Sequence, residues 1–204
     1  MSSRWKQERR RDQFYRLAKR RGYRSRATFK LRQAIEKYHF IQRGNKVLDL
    51  GASPGGWIQA ARQIVGTQGY VLGIDIELIP AFNFENVDTL QFDIMDDGVF
   101  DRIREKIPLP VDVVISDISP NISGAWDVDH GRQIQLAERS LEIAERFLHP
   151  GGSFFVKVFH GRELERFRDR IADSFERVRQ VKPPASRPRS SEIYLLALGF
   201  KGRI

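Results

Sequence analysis

The chain has 204 residues, of which 41% are hydrophobic and 30% are charged, and it contains no cysteine. This length and composition suit one large α/β domain with a buried core under a heavily charged surface. The lack of cysteine excludes disulfide frameworks and thiolate metal sites. No apolar run approaches the roughly 20 residues of a membrane span, and no apolar signal segment lies at the N-terminus. We therefore expect a soluble, cytoplasmic protein without membrane contact.

Positive charge is concentrated at the start of the chain. Residues 1–32 contain thirteen Lys or Arg against Glu8 and Asp12, so this segment accounts for the net charge of +9. Aromatic residues are interleaved with these cations, a pattern typical of surfaces that bind the backbone of nucleic acids. The alternative is a solvated, Arg-rich helix of a heat-adapted protein. The pattern favours RNA or DNA contact through a basic N-terminal arm, residues 1–24, of a single domain that spans 1–204.

The segment that follows the arm predicts an amphipathic helix with Ser25 as its N-cap. Its apolar face is formed at helical spacing by Ala27, Leu31, Ala34, Ile35 and Tyr38. Lys30 lies at the edge of this face. Base rates favour a surface lysine whose stem lies along apolar surface. An RNA-contacting charge and a residue aimed into a reaction are the alternatives.

Short β-branched runs alternate with amphipathic stretches along the rest of the chain. The runs typical of strands are 46–51, 70–75, 87–92, 112–117, 152–159, 175–181 and 192–200. Helical spacing occurs at 54–65, 131–148 and 161–175. The alternation predicts an α/β fold with a mostly parallel, seven-stranded sheet and helices on both faces. The loop 182–191 is too short and proline-rich for a crossover helix, so the last two strands should form an antiparallel edge hairpin.

The first strand ends in a glycine-rich turn, VLDLGASPGGW, that opens a helix. Gly51 and Gly55 let the backbone approach a ligand, at the sheet edge where doubly wound folds bind nucleotides. The spacing matches neither the dinucleotide G-x-G-x-x-G motif nor the phosphate-binding loop. Asp49 would be a poor neighbour for a pyrophosphate. Acidic groups instead suit a ligand with hydroxyls and positive charge, such as the sulfonium cofactor S-adenosylmethionine.

Two more carboxylates follow the next two predicted strands. Asp75 can accept hydrogen bonds from ribose hydroxyls, and Asp93 is placed to meet an adenine amino group. Taken alone, each aspartate is better explained as a helix N-cap or turn residue. Together with Asp49 they put carboxylates at three successive strand ends, which predicts a cofactor cleft.

Three further charged residues lie against apolar strands. Asp117 ends the fourth strand, Lys157 lies inside FFVKVF, and Glu192 begins the last strand. A buried lysine costs free energy unless it is paired or used. A buried Lys157–Glu192 ion pair and a turn at Asp117 form the structural alternative. That alternative does not explain why these residues cluster where strand ends should face the cleft.

Five segments, in order, resemble the FtsJ/RrmJ-type family of RNA ribose 2′-O-methyltransferases: GYRSRATFKL, DLGASPGGW, SDISPNISG, FFVKVF and RSSEIYLLAL. The resemblance implies a Rossmann-like, class I S-adenosylmethionine-dependent methyltransferase fold. The family's catalytic tetrad falls on Lys30, Asp117, Lys157 and Glu192. Its cofactor-binding residues fall on Gly55, Trp57, Asp75, Asp93 and Asp117, and we add Asp49 and Gly51 from the glycine turn. The loop GAWDVDHGR departs from the family pattern and bears on the substrate more than on the chemistry.

The reaction that the resemblance implies requires a ribose 2′-hydroxyl to lose its proton. Only a neutral lysine can accept that proton, and burial near a second ammonium disfavours the charged form. We therefore expect Lys157 to act as the base and Asp117 to orient it. Lys30 and Glu192 would then hold the ribose. In the alternative, the tetrad acts mainly as a positioning clamp.

We expect the substrate to be a uridine in a flexible loop of large-subunit (23S-type) ribosomal RNA, free or within the ribosomal subunit, because compact members resemble the ribosomal type. A tRNA anticodon-loop ribose is the alternative substrate. A ribosome-assembly factor that binds RNA without turnover is a second alternative. A nicotinamide-dependent oxidoreductase is disfavoured by the missing glycine motif. The four histidines are scattered, so we predict no metal site, and we expect a monomer.

Overall fold

The computed structural model describes residues 12–202. Its helices are α1 (Gln13–Arg20), α2 (Thr28–Tyr38), α3 (Gly56–Val65), α4 (Val99–Lys106), α5 (Trp126–Phe147) and α6 (Leu164–Ser174). Its strands are β1 (Lys46–Leu50), β2 (Tyr70–Asp75), β3 (Val87–Gln91), β4 (Val111–Ser116), β5 (Leu148–Phe159), β6 (Phe175–Val181) and β7 (Glu192–Phe200). Within these bounds, no helix is both long and apolar enough to cross a membrane.

The strands form one sheet in the order β3-β2-β1-β4-β5-β7-β6. Strands β1 to β5 pair in parallel, and β7 pairs antiparallel with both β5 and β6. The predicted mostly parallel sheet with an antiparallel edge hairpin is therefore confirmed. The strand order reverses between β1 and β4, and in open α/β sheets ligands bind outside the carboxyl ends at such a switch point.

The two faces of the sheet bury separate cores because side chains alternate along each strand. Leu48 and Leu50 of β1 belong to the core covered by α4, α5 and α6. Val47 belongs to the opposite core, where α2 and α3 pack. Asp49 alternates with the two leucines, so its carboxyl group lies on the α2 and α3 side. The predicted apolar face of α2 is buried in that same core, as expected.

The prediction that Ser25 caps α2 is wrong. The helix begins at Thr28, and its N-cap residue, Ala27, makes no side-chain capping bond. The Thr28 hydroxyl lies 2.8 Å from the carbonyl of Ser25 and 3.1 Å from that of Gly56. Residues 25–27 therefore form a separate turn, and the Ser25 side chain packs against Gly56 at the start of α3 instead of capping α2.

Strand β5 begins at Leu148, four residues before its predicted start at 152, and two helices also differ from the sequence prediction. Helix α5 begins at Trp126, five residues before the predicted start at 131. Asp129 explains the difference, because its carboxylate accepts backbone hydrogen bonds from Ser123 and Gly124 and so anchors the first turn. Helix α4 was not predicted at all: it has eight residues and buries only Val99 and Ile103, too few to give a clear helical period.

Gly73 of β2 allows α3 to approach the sheet beneath the glycine turn. A Cβ atom at this position would lie 2.3 Å from Cδ1 of the buried Ile58 and 3.0 Å from Cβ of Ala52.

We expect Gly73→Ala to lower the free energy of unfolding by about 1–3 kcal/mol, measured by urea denaturation. Gly131→Ala is the matched control, because Gly131 lies inside α5 with open space around it. That variant should gain up to about 1 kcal/mol from helix propensity; equal effects would contradict the close packing of α3 on Gly73 as the cause.

Candidate active site

A cleft of about 420 Å³ lies at the carboxyl ends of the central parallel strands. Its walls come from the turns that follow β1, β2, β3 and β4. Of the predicted cofactor residues, the structure brings together Gly51, Asp75, Asp93 and Asp117 along these walls. These residues follow four separate strands in the sequence, and the parallel sheet brings them to one edge.

Asp75 and Asp93 combine a turn role with a place in the cleft. The two oxygens of Asp75 accept backbone hydrogen bonds from Ser53 and Glu77, each at 2.8 Å. One oxygen of Asp93 accepts from the backbone of Met95 at 2.9 Å. Each carboxylate oxygen has two lone pairs, so both side chains hold their loops in place and keep acceptor capacity for a ligand.

Both glycines named in the turn after β1 adopt backbone conformations with positive φ. Gly51 has φ of 74°, and a Cβ atom there would lie 2.3 Å from Cγ1 of Ile118. Gly55 has φ of 103°, and a Cβ atom there would lie 2.7 Å from the ring of Phe82 and 2.8 Å from the Arg24 guanidinium. The turn therefore packs tightly against neighbouring loops on both sides, which fixes one wall of the cleft.

Trp57 lies in the packed interior and not along the cleft. Its indole nitrogen donates a hydrogen bond of 2.8 Å to the carbonyl of Ala27, and its ring stacks on Phe155 at 5.7 Å. The side chain therefore ties the start of α3 to the turn that precedes Lys30. A direct role for Trp57 in cofactor binding stays a prediction.

Asp49 also lies outside the cleft, fully buried in β1 between Gly73 of β2 and Ile115 of β4. Neither carboxyl oxygen has a hydrogen-bond partner among residues 12–202. Burial, followed by the negative charges of Asp117 and Asp75, raises the pKa of Asp49 well above its ordinary value. The neutral carboxylic acid is therefore the favoured form of this group.

The predicted tetrad residues are brought together in two ion pairs. The ammonium of Lys30 pairs with the Glu192 carboxylate. The ammonium of Lys157 lies 3.1 Å from Asp117 Oδ1 and donates a 2.5 Å hydrogen bond to the Asp117 carbonyl. Lys30 and Lys157 are both buried, so the surface-lysine alternative for Lys30 is wrong. The four side chains form an electrically balanced, largely dry cluster.

The alternative pairing of Lys157 with Glu192 is also wrong, and the strand register explains why. In the antiparallel β5–β7 ladder, Lys157 lies opposite Tyr194, and Glu192 lies opposite Phe159. Glu192 is thus displaced by two residues along the strand, on the same face of the sheet. There it meets Lys30, which α2 supplies from above this face.

Tyr194 belongs to the cluster and was not among the predicted site residues. Its hydroxyl donates a 2.7 Å hydrogen bond to Asp117 Oδ1, and its ring stacks on Phe155 at 4.8 Å. The Lys30 ammonium lies 5.8 Å from the ring centre. The sequence could have identified Tyr194 as a site residue. It follows Glu192 by two positions in a strand, so the two side chains must lie on the same face of the sheet.

The surroundings of Asp117 lower its pKa, whereas those of Tyr194 raise its pKa. Burial opposes ionisation of Asp117, but the ammonium groups of Lys157 and Lys30, with hydrogen bonds from Tyr194 and Lys157, lower its pKa below the ordinary value. Burial, and then the charges of Asp117 and Glu192, raise the pKa of Tyr194 well above its ordinary value. The site therefore keeps a carboxylate that accepts hydrogen bonds and a phenol that donates one.

Gln133 of α5 braces this cluster from the other side of β5. Its amide nitrogen donates hydrogen bonds of 2.9 Å to the carbonyl of Lys157 and 3.2 Å to that of Ile118. The side chain thus joins the strand that carries Lys157 to the loop that follows Asp117. No sequence signal points to this residue, because a glutamine within an amphipathic helix is ordinarily solvated.

The described part of the N-terminal arm packs beside the tetrad. Ala18 of α1 is buried against Phe29, next to Lys30. Arg26 pairs with the Asp12 carboxylate and donates to the carbonyl of Ala185 in the loop before β7. The exposed side of α1 carries Arg16, Lys19 and Arg20. The earlier cations of the predicted arm, at residues 1–11, lie outside the described residues.

A Rossmann-like sheet with a cleft at its switch point is the arrangement in which open α/β proteins bind nucleotide-like ligands. The FtsJ-like methyltransferase family model matches residues 23–200, and the chain belongs to that family. The predicted family and the predicted fold class are therefore both confirmed. The oxidoreductase alternative is wrong, because the matched family transfers methyl groups.

Similar proteins carry names that agree with the family. A Methanocaldococcus jannaschii protein named ribosomal RNA large subunit methyltransferase E is 46% identical over 203 residues, covering 98% of this chain and 83% of the relative. A Methanothermobacter thermautotrophicus protein of the same name is 43% identical, covering 100% of this chain and 96% of the relative. The crystal structure of a Plasmodium falciparum protein assigned as a ribosomal RNA methyltransferase superposes with a TM-score of 0.78, at 26% identity, over 89% of this chain and 100% of that chain.

We expect stability to report the raised pKa of Asp49. The unfolded chain releases this proton near pH 4, whereas the folded chain retains it to higher pH, so wild-type stability falls as pH rises through that window. Asp49→Asn removes the titration. The free energy of unfolding of the variant, minus that of the wild type, should rise by up to about 1.4 kcal/mol per pH unit from pH 4 upward. Urea denaturation between acidic and neutral pH measures it.

Asp101→Asn is the control for this experiment, because the Asp101 side chain is mostly exposed and pairs with Arg104 at the surface. The difference between that variant and the wild type should stay nearly constant with pH. A constant difference for Asp49→Asn as well would mean that Asp49 is ionised in the folded protein.

Proposed function

We propose that this protein uses S-adenosylmethionine to methylate the 2′-hydroxyl of a ribose in large-subunit ribosomal RNA, at a uridine in a flexible loop. The observation that carries the proposal is the buried cluster of Lys30, Asp117, Lys157 and Glu192, which meets the cleft at Asp117. The family membership supports methyl transfer, and the names of the archaeal relatives support a ribosomal RNA substrate.

The cleft fits the cofactor in charge and size. Asp75, Asp93 and Asp117 line it, and none of the described residues along its walls is basic. That lining suits a cationic sulfonium with ribose hydroxyls and disfavours a pyrophosphate. The volume of about 420 Å³ lies in the range of cofactor sites. We infer that Asp75 holds the ribose hydroxyls and Asp93 the adenine amino group.

S-adenosylmethionine, when bound, would supply an electrophilic methyl group. Asp117 lines the cleft and also contacts Lys157, so one residue links the proposed cofactor side of the site to the proposed substrate side. We infer that Lys157 first releases a proton to solvent and then, as a neutral amine, receives the proton of the ribose 2′-hydroxyl while that oxygen takes the methyl group. Its two contacts with Asp117 fix the direction of that amine, and Lys30, held by Glu192, places a positive charge beside the oxygen that develops negative charge.

Lys157→Arg separates a base from a positioning clamp. Arginine keeps a positive charge and hydrogen-bond donors but does not deprotonate in proteins. A base at this position predicts that kcat falls by about 10²-fold or more, with cofactor and RNA binding retained. A clamp predicts that much of the activity persists. Single-turnover methyl transfer, together with calorimetry of cofactor binding, measures the two quantities.

The substrate is tested with labelled S-adenosylmethionine. Unmodified large ribosomal subunits, free large-subunit RNA and bulk tRNA are offered in parallel, and alkaline hydrolysis then locates any resistant linkage. We expect label in a 2′-O-methylated linkage of ribosomal RNA and none with Lys157→Ala. Label in tRNA would support the anticodon-loop alternative. Tight cofactor and RNA binding with no label in any of these substrates would support the assembly-factor alternative.

We propose that the exposed cations of α1 lead the RNA backbone to the tetrad, because α1 packs directly beside Lys30. The variant Arg16→Gln with Arg20→Gln should bind ribosomal RNA more weakly. It should also reduce the slope of log affinity against log salt by about 0.7–0.9 for each phosphate that the variant no longer neutralises. Filter binding across a salt series measures this slope. Lys106→Gln, an exposed cation at the end of α4, is the control and should leave the slope unchanged.

A further inference from the structure

An aromatic side chain that the proposed chemistry does not use lies exposed beside the tetrad. Trp126, the first residue of α5, is 48% exposed, and its ring stacks on Phe159 at 6.0 Å and on His130 at 6.1 Å. We call the exposed indole of Trp126, together with the Phe159 and His130 rings that support it, the Trp126 patch. Trp126 lies in the loop GAWDVDHGR, which departs from the family pattern.

The patch is continuous with the reaction centre. Phe159, which supports the indole, follows Lys157 by two residues in β5, so the two side chains lie on one face of the sheet. Phe159 also lies opposite Glu192 in the β5–β7 ladder. The indole of Trp126 is therefore joined to the tetrad through Phe159, which stacks on Trp126 and lies beside Glu192.

The loop that carries the patch is held in one conformation. The buried carboxylate of Asp129 accepts hydrogen bonds from the backbone of Ser123 at 2.8 Å, from its hydroxyl at 2.7 Å and from the backbone of Gly124 at 3.0 Å. His130 is buried and accepts a 3.2 Å hydrogen bond from the backbone of Glu163. The indole is thus held in place before any ligand binds, with about half of its surface exposed to solvent.

Charge near the patch is suited to a nucleic acid strand. Arg132 and Arg162 are both exposed. Arg132 lies two residues after His130 in α5, and Arg162 directly follows Gly161, whose backbone lies against the His130 ring. Of the two aspartates at the start of α5, Asp129 is turned inward and satisfied by its loop, whereas Asp127 is exposed next to Trp126. An aromatic platform flanked by cations is the arrangement by which proteins hold unpaired bases of single-stranded RNA.

We propose that Trp126 stacks on an unpaired nucleobase of the RNA substrate, adjoining the ribose held by the tetrad. This inference rests on the proposed function and assigns a substrate-positioning residue to it. Stacking is tolerant of base identity, because every base presents a π face. Trp126 therefore selects for a flexible, unpaired strand over a duplex, and a base stacked on it orients the neighbouring 2′-hydroxyl.

The test compares the wild type with Trp126→Ala and Trp126→Phe. Trp126→Ala should raise KM for ribosomal RNA, and Kd for a short single-stranded RNA of mixed sequence, by about 5- to 100-fold. The affinity for S-adenosylmethionine and the slope of RNA affinity against salt should not change, because no charge is lost. Trp126→Phe should keep most of the affinity. Leu109→Ala, an exposed apolar residue near the amino ends of the strands, is the control and should behave as the wild type.

Fluorescence gives a second readout that does not depend on turnover. It is measured in a Trp5→Phe background, which leaves Trp57 and Trp126 as the two emitting side chains. The short RNA should quench the emission of this protein, and the quenching should be largely absent when Trp126→Phe is added, because Trp57 is buried. This measurement also stands if Trp126→Ala fails to fold. An unchanged KM in Trp126→Ala, or equal quenching with and without Trp126→Phe, would overturn the proposal.

Two further outcomes separate this inference from the function on which it rests. Loss of activity on assembled subunits, with full activity and binding on free RNA, would mean that the patch contacts a ribosomal protein and would also overturn the proposal. No methyl transfer by the wild type to any RNA, with Trp126-dependent quenching intact, would remove the proposed function and retain the base-stacking role.

Discussion

The active site depends on the burial of the Lys157 ammonium beside Asp117. Removing an ammonium from water costs several kcal/mol unless opposite charges and hydrogen bonds replace the solvent. Asp117 replaces the solvent around the ammonium with two contacts, one from its carboxylate and one from its backbone carbonyl. The carboxylate is itself supported by the hydroxyl of Tyr194. Removing the Asp117 side chain would take the carboxylate from the Lys157 ammonium and the acceptor from the Tyr194 hydroxyl, so Asp117 is the central member of this group.

The same interaction joins two halves of the fold. Asp117 follows β4 and lines the cleft, whereas Lys157 lies in β5. The parallel half of the sheet supplies the edge that carries the cleft, and the antiparallel hairpin supplies Glu192 and Tyr194. The candidate site therefore lies where the parallel and antiparallel parts of the sheet meet.

The local features were largely predictable because they rest on short-range physics. Seven strands and the edge hairpin follow from hydrophobic runs and a proline-rich loop, and the motifs placed all four tetrad residues. Two predictions failed for different reasons. Ser25 was chosen as a cap by residue type, but its contact with Gly56, thirty-one positions away, decides its role. Helix α4 is short and mostly polar, so its two buried residues gave no clear period.

The sequence by itself determined the sheet, the family and the identity of the charged residues, because these are written in hydrophobic periods and short motifs. Only the tertiary structure decided which charges pair. The register of β5 against β4 sets Asp117 beside Lys157, and the register of β5 against β7 sets Glu192 two residues away. A shift of one residue would turn every side chain of a strand to the opposite face. Elements distant in sequence also decide two other features. Among the described residues they leave the buried carboxyl group of Asp49 without a hydrogen-bond partner, and they hold the exposed ring of Trp126 against Phe159.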